Sequence, residues 1–118
     1  MRCLFVFRHS PWDGSRGAES LDLLLTLAAF DQELEVLLLD DGVWHLHPGQ
    51  SPGVLGLRDL SALWRNLPLY GIGASPWVED ESLRARGLQD GDLSIPVRRI
   101  QRGRLAEFWN RFDTILGD

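Results

Sequence analysis

Cys3-Leu4-Phe5-Val6-Phe7 is a continuous apolar run that ends at the polar segment His9-Ser10-Pro11. Such a run is typical of a strand that is buried on both faces, and strands of this kind belong to parallel sheets. A helical stripe follows, and then a second buried strand, Glu35-Val36-Leu37-Leu38-Leu39. The stripe consists of residues spaced i, i+3, i+4 and i+7: Leu21, Leu24, Leu25 and Ala28. With no hairpin signal between the two strands, the pattern predicts a βαβ unit.

The alternation of strands and helices continues to the end of the chain. The patterns first predict a helix that ends at Pro68 and is marked by Leu60, Leu63, Trp64 and Leu67, followed by a strand at Trp77-Val78. They next predict a helix over about Asp80 to Arg86, with Asp80 as N-cap and Gly87 after its end, and then a weak strand at Ile95-Pro96-Val97. The last two elements are a helix marked by Leu105, Phe108, Trp109 and Phe112 and a final strand at Asp113-Thr114-Ile115-Leu116. We therefore expect the α/β class: a three-layer sandwich with a mostly parallel sheet of about five strands flanked by helices, in a flavodoxin-like topology.

The length, charge and cysteine content of the chain limit the classes of function that it can have. A chain of 118 residues predicts a single domain, 1–118. Twelve basic residues, all arginine, stand against 17 acidic ones, so the net charge is −5. This balance disfavours direct binding of nucleic acid or an anionic membrane, and the absence of lysine removes Schiff-base chemistry. One cysteine, no signal peptide and no apolar run long enough to span a membrane lead us to expect a cytoplasmic protein.

The chemistry-bearing residues do not form a known catalytic motif. Cys3 lies at the amino end of the first strand, away from the carboxyl edge where α/β sheets form their sites, so we interpret it as a small buried hydrophobe. His45 and His47 would face the same way on an extended segment, but a metal site needs a third ligand. We expect no catalytic residue, no metal and no cofactor.

Two further stretches leave alternatives open. Gly14-Ser15-Arg16-Gly17 precedes a helix and could hold an anion, although a flexible turn is the simpler interpretation. An FMN site rests on fold analogy alone. Arginines concentrate in a seven-residue stretch, which could form a phosphate-facing patch, a solvated face or an ionic contact with an acidic partner. They are Arg98, Arg99, Arg102 and Arg104.

Five tryptophans are more than the core of so small a chain needs. Trp12 and Trp44 fall in polar loop contexts, and exposed tryptophans are enriched in protein–protein interfaces. We therefore expect the loop from Asp41 to Gln50, with Val43, Trp44 and Leu46 exposed, to contact a partner. The interface candidates are Asp41, Gly42, Val43, Trp44, Leu46, Pro48, Gly49 and Gln50.

The same loop carries a resemblance to a known family. The stretch from Leu38 to Gln50, LLDDGVWHLHPGQ, resembles the DGV-x-x-L-x-PGQ loop of the TusC/DsrF family. Three later stretches are similar to that family in the same order: Leu67-Pro68-Leu69-Tyr70-Gly71, Ser82-Leu83-Arg84-Ala85-Arg86-Gly87-Leu88 and Phe112-Asp113-Thr114-Ile115-Leu116. The likeness spans nearly the whole chain.

The resemblance implies a DsrE-like fold and a place in a heterohexamer with TusB-like and TusD-like subunits. Such a complex relays persulfide sulfur toward 2-thiouridine at the tRNA wobble position, or serves sulfur oxidation in sulfur-oxidising bacteria. The sulfur-accepting cysteine of the TusD/DsrE relatives falls on Glu79 here, and a carboxylate cannot carry a persulfide. We therefore expect a non-catalytic subunit of a sulfur-relay complex. The rivals are a small thiol-dependent sulfurtransferase that uses Cys3, and a phosphate or flavin binder.

Overall fold

A single parallel sheet organises the chain. The structure, a computed structural model, describes residues 2–12, 16–30, 33–47, 61–72 and 75–118, with side chains described except at 16–18 and 61–62. The sheet consists of β1 (Arg2–Phe7), β2 (Glu33–Leu38), β3 (Trp77–Glu79), β4 (Arg98–Ile100) and β5 (Thr114–Gly117). The strands lie in the order β4-β3-β2-β1-β5, and every pairing is parallel. The predicted parallel α/β sheet is confirmed.

Short helices follow the strands. The described α-helices are α1 (Arg16–Ala28), α2 (Ser61–Arg65), α3 (Asp80–Ala85) and α4 (Leu105–Trp109). Four 3₁₀ helices complete the described elements: Asp40–Leu46, Leu67–Tyr70, Asp90–Asp92 and Arg102–Arg104. Among the described helices, none is long and apolar enough to cross a membrane.

Alternation along β1 divides the core into two layers. Cys3, Phe5 and Phe7 pack on one face of the sheet, in a cluster that includes the α1 side chains Leu21 and Leu24. The intervening β1 residues pack on the other face with Phe108 of α4. Because both faces of β1 are covered, its side chains after Arg2 are buried, and this explains the continuous apolar run.

Several predicted boundaries are wrong. The strand predicted at Ile95-Pro96-Val97 begins later, at Arg98, whose N–H donates to Pro76 O at 2.9 Å. Proline has no N–H to place in a sheet, so pairing starts beyond it. Pro68 does not end helical structure, because it lies in the first turn of the 3₁₀ helix Leu67–Tyr70, where a missing N–H costs nothing.

The predicted N-cap of α3 is also displaced. Asp80 is the first residue of α3, and Glu79 occupies the N-cap position without making a side-chain capping bond. Gly87 has a φ of 69°, so the glycine expected after the helix is left-handed as predicted. Glu79, and not Asp80, therefore lies at the point where β3 ends and α3 begins.

Candidate functional site

The carboxyl ends of β1, β2, β3 and β4 meet at one edge of the sheet because these strands are parallel. In an open α/β fold this edge is where sites form. The 3₁₀ helix Asp40–Leu46, helix α3 and the 3₁₀ helix Arg102–Arg104 begin there, just after β2, β3 and β4 respectively. Groups from all three elements meet around Glu79, the last residue of β3. We call them the Glu79 cluster: the backbone N–H of Asp40 and the side chains of Glu79, Ser82 and Arg102.

Glu79 is the centre of this cluster, and its side chain is only 3% exposed. Arg102 holds the carboxylate with two hydrogen bonds, from Nη2 to Oε1 at 2.8 Å and from Nε to Oε2 at 3.1 Å. The hydroxyl of Ser82 donates to Oε1 at 2.6 Å. Glu79 is therefore a buried carboxylate in a bidentate ion pair.

The electrostatics keep Glu79 ionised. Burial by itself would raise the pKa of Glu79, but the hydrogen bonds from Arg102 and Ser82 outweigh it and lower the pKa below its ordinary value. A carboxylate with a lowered pKa is a poor proton acceptor near neutral pH. The cluster therefore stabilises a fixed anion and offers no nucleophile for sulfur.

Ser82 connects the ends of two neighbouring strands. It is fully buried, and its Oγ accepts the backbone N–H of Asp40 at 2.8 Å while donating to Glu79. Asp40 has a φ of 49°, a left-handed conformation that aspartate tolerates better than most residues. The hydroxyl of Ser82 thus holds the turn after β2 against the end of β3. Ser82 was not among the predicted site residues.

Arg86 makes a second link between these elements. Its Nε and Nη2 donate to Asp41 Oδ1 at 3.0 and 2.9 Å, and its Nη1 donates to the carbonyl of Ser82 at 3.1 Å. Asp41 is thereby tied to α3 although its side chain is 62% exposed. This candidate interface residue lies on the surface.

The loop that begins at Asp41 differs from its prediction. Val43 and Leu46 are fully buried, so their expected exposure is wrong, and Gly42 is buried as well. The backbone is a 3₁₀ helix, in which residues i and i+3 share a face, so Val43 and Leu46 both turn toward the core. Trp44 stays half-buried at the surface. The remaining candidates Pro48, Gly49 and Gln50 lie outside the described residues.

Two tryptophans form an aromatic pair at this edge. The ring centroids of Trp12 and Trp44 are 5.7 Å apart, and those of Trp44 and His47 are 5.4 Å apart. Trp12 is 42% exposed. The pair presents a large, rigid apolar surface at the carboxyl edge of the sheet, where the Glu79 cluster also lies. Surfaces of this kind anchor protein interfaces.

The His45 and His47 pair does not lie on an extended strand. His45 is fully buried, and its Nδ1 accepts a hydrogen bond from Trp64 Nε1 at 3.4 Å. Its Nε2 therefore carries the proton and donates to the carbonyl of His9 at 3.0 Å. Burial lowers the pKa of His45 to about 4, so the ring is neutral. Within the described part of the chain, no three His, Cys, Asp or Glu side chains are grouped as metal ligands.

Cys3 lies at the opposite edge of the sheet from the Glu79 cluster. It is the second residue of β1, is 3% exposed, and has a pKa raised by burial. A buried thiol with a raised pKa yields little reactive thiolate. The prediction that Cys3 is a buried strand residue is confirmed.

The arginine-rich stretch makes ionic contacts within the chain. Three of its side chains, those of Arg98, Arg99 and Arg102, pair with carboxylates. The pairs are Arg98–Glu35 at 2.9 Å, Arg99–Asp80 at 3.3 Å, Arg99–Asp90 at 3.2 Å and Arg102–Glu79 at 2.8 Å. Because these carboxylates belong to the same chain, the pairs test neither a phosphate-facing patch nor a contact with an acidic partner. The candidate anion loop Gly14-Ser15-Arg16-Gly17 falls mostly outside the described residues.

Comparisons with known proteins extend this description. The model of the DsrE/DsrF-like family matches residues 1–117. The chain is 37% identical over 113 residues to the "Protein TusC homolog" of Pseudomonas aeruginosa, an alignment that covers 96% of this chain and 94% of that protein. The crystal structure of the YchN protein from E. coli superposes with a TM-score of 0.80 over all of both chains, at 19% identity, which supports the fold alone.

Proposed function

The chain belongs to the DsrE/DsrF-like family, and on that premise we propose that it is a non-catalytic subunit of a sulfur-relay complex. The observation that carries this proposal is that a carboxylate lies at the carboxyl edge of the sheet, whereas the cysteine lies at the opposite edge. Glu79, which the resemblance places at the position of the family cysteine, lies in a buried ion pair with Arg102, while the single cysteine of the chain is buried at the other edge. The sulfur carrier is then a cysteine of a partner subunit.

The proposed partners are TusB-like and TusD-like subunits in a cytoplasmic heterohexamer. Their contact surface on this chain includes the pair Trp12 and Trp44 together with Asp41, since these side chains keep exposed area at the carboxyl edge. An exposed tryptophan pair is costly in water and gains free energy when a partner covers it. Among the interface candidates, the accessible Trp44 and Asp41 therefore fit a contact surface better than the buried Val43 and Leu46.

The proposed destination of the sulfur is the 2-thiouridine of the tRNA wobble position. The name of the Pseudomonas aeruginosa relative, a TusC homolog, favours this branch over dissimilatory sulfur oxidation. Contact with the tRNA itself is not part of the proposal, because the chain has a net charge of −5. The rival function, a sulfurtransferase acting through Cys3, is opposed by the burial and raised pKa of that thiol.

Co-expression with the TusB-like and TusD-like subunits of the same genome tests the proposal. We expect one assembly of the mass of a heterohexamer, measured on the intact complex. With an isotopically labelled persulfide donor, the label should appear on a partner cysteine and not on Cys3. A chain that remains alone, or that takes up the label on Cys3 without partners, would contradict the subunit function.

Cells lacking the gene distinguish the two branches. For the tRNA branch we expect loss of 2-thiouridine from tRNA hydrolysates, with recovery on re-expression of the wild-type chain. Normal 2-thiouridine together with impaired oxidation of reduced sulfur would assign the sulfur-oxidation branch instead.

A further inference from the structure

The strand β5 ends the sheet on one side. Within the part of the chain that the structure describes, β5 pairs with β1 alone. The register sets Ile115 beside Leu4 and Leu116 beside Phe5, and these two β1 residues lie on opposite faces of the sheet. Both β5 side chains are exposed, Ile115 by 43% and Leu116 by 37%. Apolar residues on both faces are typical of an interior strand, so the sequence of β5 does not match its place at an edge.

The strand β4, at the other end of the sheet, has the residues of a protected edge. Arg98 and Arg99 are charged and pair with carboxylates of the same chain. Charged side chains on an edge strand oppose pairing with a strand of another molecule. β5 carries no charged residue. Of the two edge strands, β5 is therefore the one suited to receive another strand.

Asp118, the residue after β5, ties helix α1 to the β5 side of the sheet. Its carboxylate accepts the hydroxyl of Ser20 on α1 at 2.7 Å. The same carboxylate accepts the backbone N–H groups of Arg8 and His9 at 2.6 and 3.3 Å. The flank of α1 that carries Ser20 therefore faces β5.

This flank of α1 continues as an apolar stripe. Leu23, Leu27 and Phe30 follow Ser20 at intervals of three, four and three residues, which place them on one side of a helix. The N–H of Phe30 donates to Leu27 O at 3.1 Å, so the helical turn continues to Phe30. Leu23 is 49% exposed and Phe30 is 69% exposed. With the two exposed side chains of β5 they form what we call the β5-edge surface: Leu23, Leu27, Phe30, Ile115 and Leu116.

We propose that the β5-edge surface binds a second copy of this chain about a two-fold axis. The two β5 strands then lie antiparallel and side by side, and they join the two five-stranded sheets into one continuous sheet. Because α1 and Leu116 lie on the same face of the sheet, the two apolar stripes of α1 meet on that face.

The choice of a second copy as the occupant follows from charge. A two-fold contact sets a surface against itself, so a charged group near the axis would meet its own kind. All five residues of the β5-edge surface are uncharged. Interfaces between identical subunits are also more apolar than those of transient complexes. The inference does not depend on the proposed function, although a heterohexamer with two copies of this chain can accommodate such a contact.

The mass of the isolated chain in solution tests the inference. By sedimentation equilibrium over about a hundredfold range of concentration, the mass should rise from 13.4 kDa to twice that value. Phe30→Glu and Ile115→Lys should each weaken the dimer at least about tenfold, because each puts a charge into the apolar contact. Leu69→Glu is the matched control. It adds a charge at an 82% exposed leucine of the 3₁₀ helix Leu67–Tyr70, before β3, and should leave the dimer unchanged.

A cross-link identifies the occupant. Ile115→Cys adds an exposed thiol to a chain whose own Cys3 is buried. A bis-maleimide with a short flexible spacer should join two copies of this variant into a covalent dimer. The same product should form when the variant is co-expressed with the TusB-like and TusD-like subunits, and mass spectrometry identifies the joined chains.

The outcomes separate this inference from the proposed function. A chain that keeps the monomer mass at every concentration overturns the inference, and so does a dimer that Phe30→Glu and Ile115→Lys weaken no more than Leu69→Glu does. A cross-link from Ile115→Cys to a different subunit overturns it as well, and all three results leave the proposed function standing. If Ile115→Lys does not fold, Phe30→Glu, which lies outside the sheet, decides the test. A dimer that binds no other subunit supports the inference and contradicts the proposed function.

Discussion

Glu79 owes its ionisation to two neighbours and not to solvent. Its carboxylate is buried, so water contributes little, and Arg102 and Ser82 supply the compensating hydrogen bonds. Removing one partner of such a pair costs more than the pair contributes, because the remaining group keeps its desolvation cost. Arg102 is largely exposed, with 60% of its side chain accessible, so water can replace Glu79 as its partner.

Glu79→Gln is therefore expected to affect stability and to leave sulfur transfer unchanged. The helix dipole alone would predict a cost of up to ~1 kcal/mol, whereas the lost charge-assisted hydrogen bonds predict ~1–3 kcal/mol. Urea unfolding of the chain measures this cost. Transfer by the assembled complex should stay within about threefold of wild type. A 100-fold loss corresponds to nearly 3 kcal/mol of transition-state stabilisation and would place Glu79 in the chemistry.

His45 predicts a pH dependence of stability. The folded ring has a pKa of about 4 against an ordinary value of 6.5, so only the unfolded chain binds this proton between those values. Stability therefore falls as the pH falls through this window, by roughly 3 kcal/mol in total. Urea unfolding at several pH values should show the slope in wild type and in His47→Gln. It should be much smaller in His45→Gln, where only carboxylates with lowered pKa values such as Glu79 remain, and an unchanged slope there would refute the assignment to His45.

At the scale of the element, the 3₁₀ helix Asp40–Leu46 packs against the core with one face and presents a tryptophan at the surface. Val43 and Leu46 anchor it in the core, while Trp44 points to the surface beside Trp12. The close packing of its backbone against β1 sets where Trp44 lies. A contact surface built this way is rigid, so a partner pays little conformational entropy to bind it.

Trp44→Ala is expected to weaken assembly and to leave the fold intact. Loss of the Trp12 and His47 ring contacts should cost the chain about 1 kcal/mol. Assembly with the partner subunits should weaken at least tenfold, measured by titration followed by intact mass. Trp109→Ala, at a half-buried tryptophan on α4, serves as the control. Equal weakening by both variants would mean that lost stability, and not a lost contact, is the cause.

Gly42 has no room for a side chain. A Cβ at this position would lie 2.0 Å from the carbonyl oxygen of Phe7 and 2.6 Å from its carbon, and both are backbone atoms of β1. Gly42→Ala should therefore displace the 3₁₀ helix from the sheet and lower stability by about 3 kcal/mol. Gly91→Ala, where a Cβ meets nothing within 4 Å, is the matched control in thermal unfolding. Similar midpoints for the two variants would contradict this packing.

At the scale of the whole molecule, the parallel sheet separates the single thiol from the site. Cys3 lies near the amino end of β1, between its neighbours β2 and β5, whereas the Glu79 cluster and the His9–Asp118 pair lie at the carboxyl edge. Parallel order makes this separation unavoidable, because every strand begins at one edge and ends at the other. The same order brings residues distant in sequence together at the carboxyl edge.

Thiol labelling of the folded chain tests this arrangement. Iodoacetamide should alkylate Cys3 at least about 100-fold more slowly in the native chain than in urea, since labelling requires an opening that costs about 2.7 kcal/mol or more. Mass spectrometry of quenched samples gives both rates. Rapid alkylation of the native chain would show an accessible thiol and would revive the sulfurtransferase alternative.

The sequence by itself determined those features that depend on neighbouring residues. The apolar run of β1 and the alternation of strands with helices predicted a five-stranded parallel α/β sheet. This was possible because a strand that is buried on both faces consists of consecutive apolar residues. Likewise, the stretch from Leu38 to Gln50 indicated the family, which the family model confirms over residues 1–117. Boundaries at Pro68 and Pro96 were misjudged, since whether a missing N–H matters depends on the pairing around it.

Only the tertiary structure decided which groups meet. Arg102 lies 23 residues from Glu79, and Asp118 lies 109 residues from His9, so no pattern of spacing could pair them. The burial of Val43 and Leu46 depended in the same way on a 3₁₀ backbone docked against the sheet. A side chain's charge state and exposure are set by neighbours brought close through folding, and such neighbours leave no local pattern in the sequence.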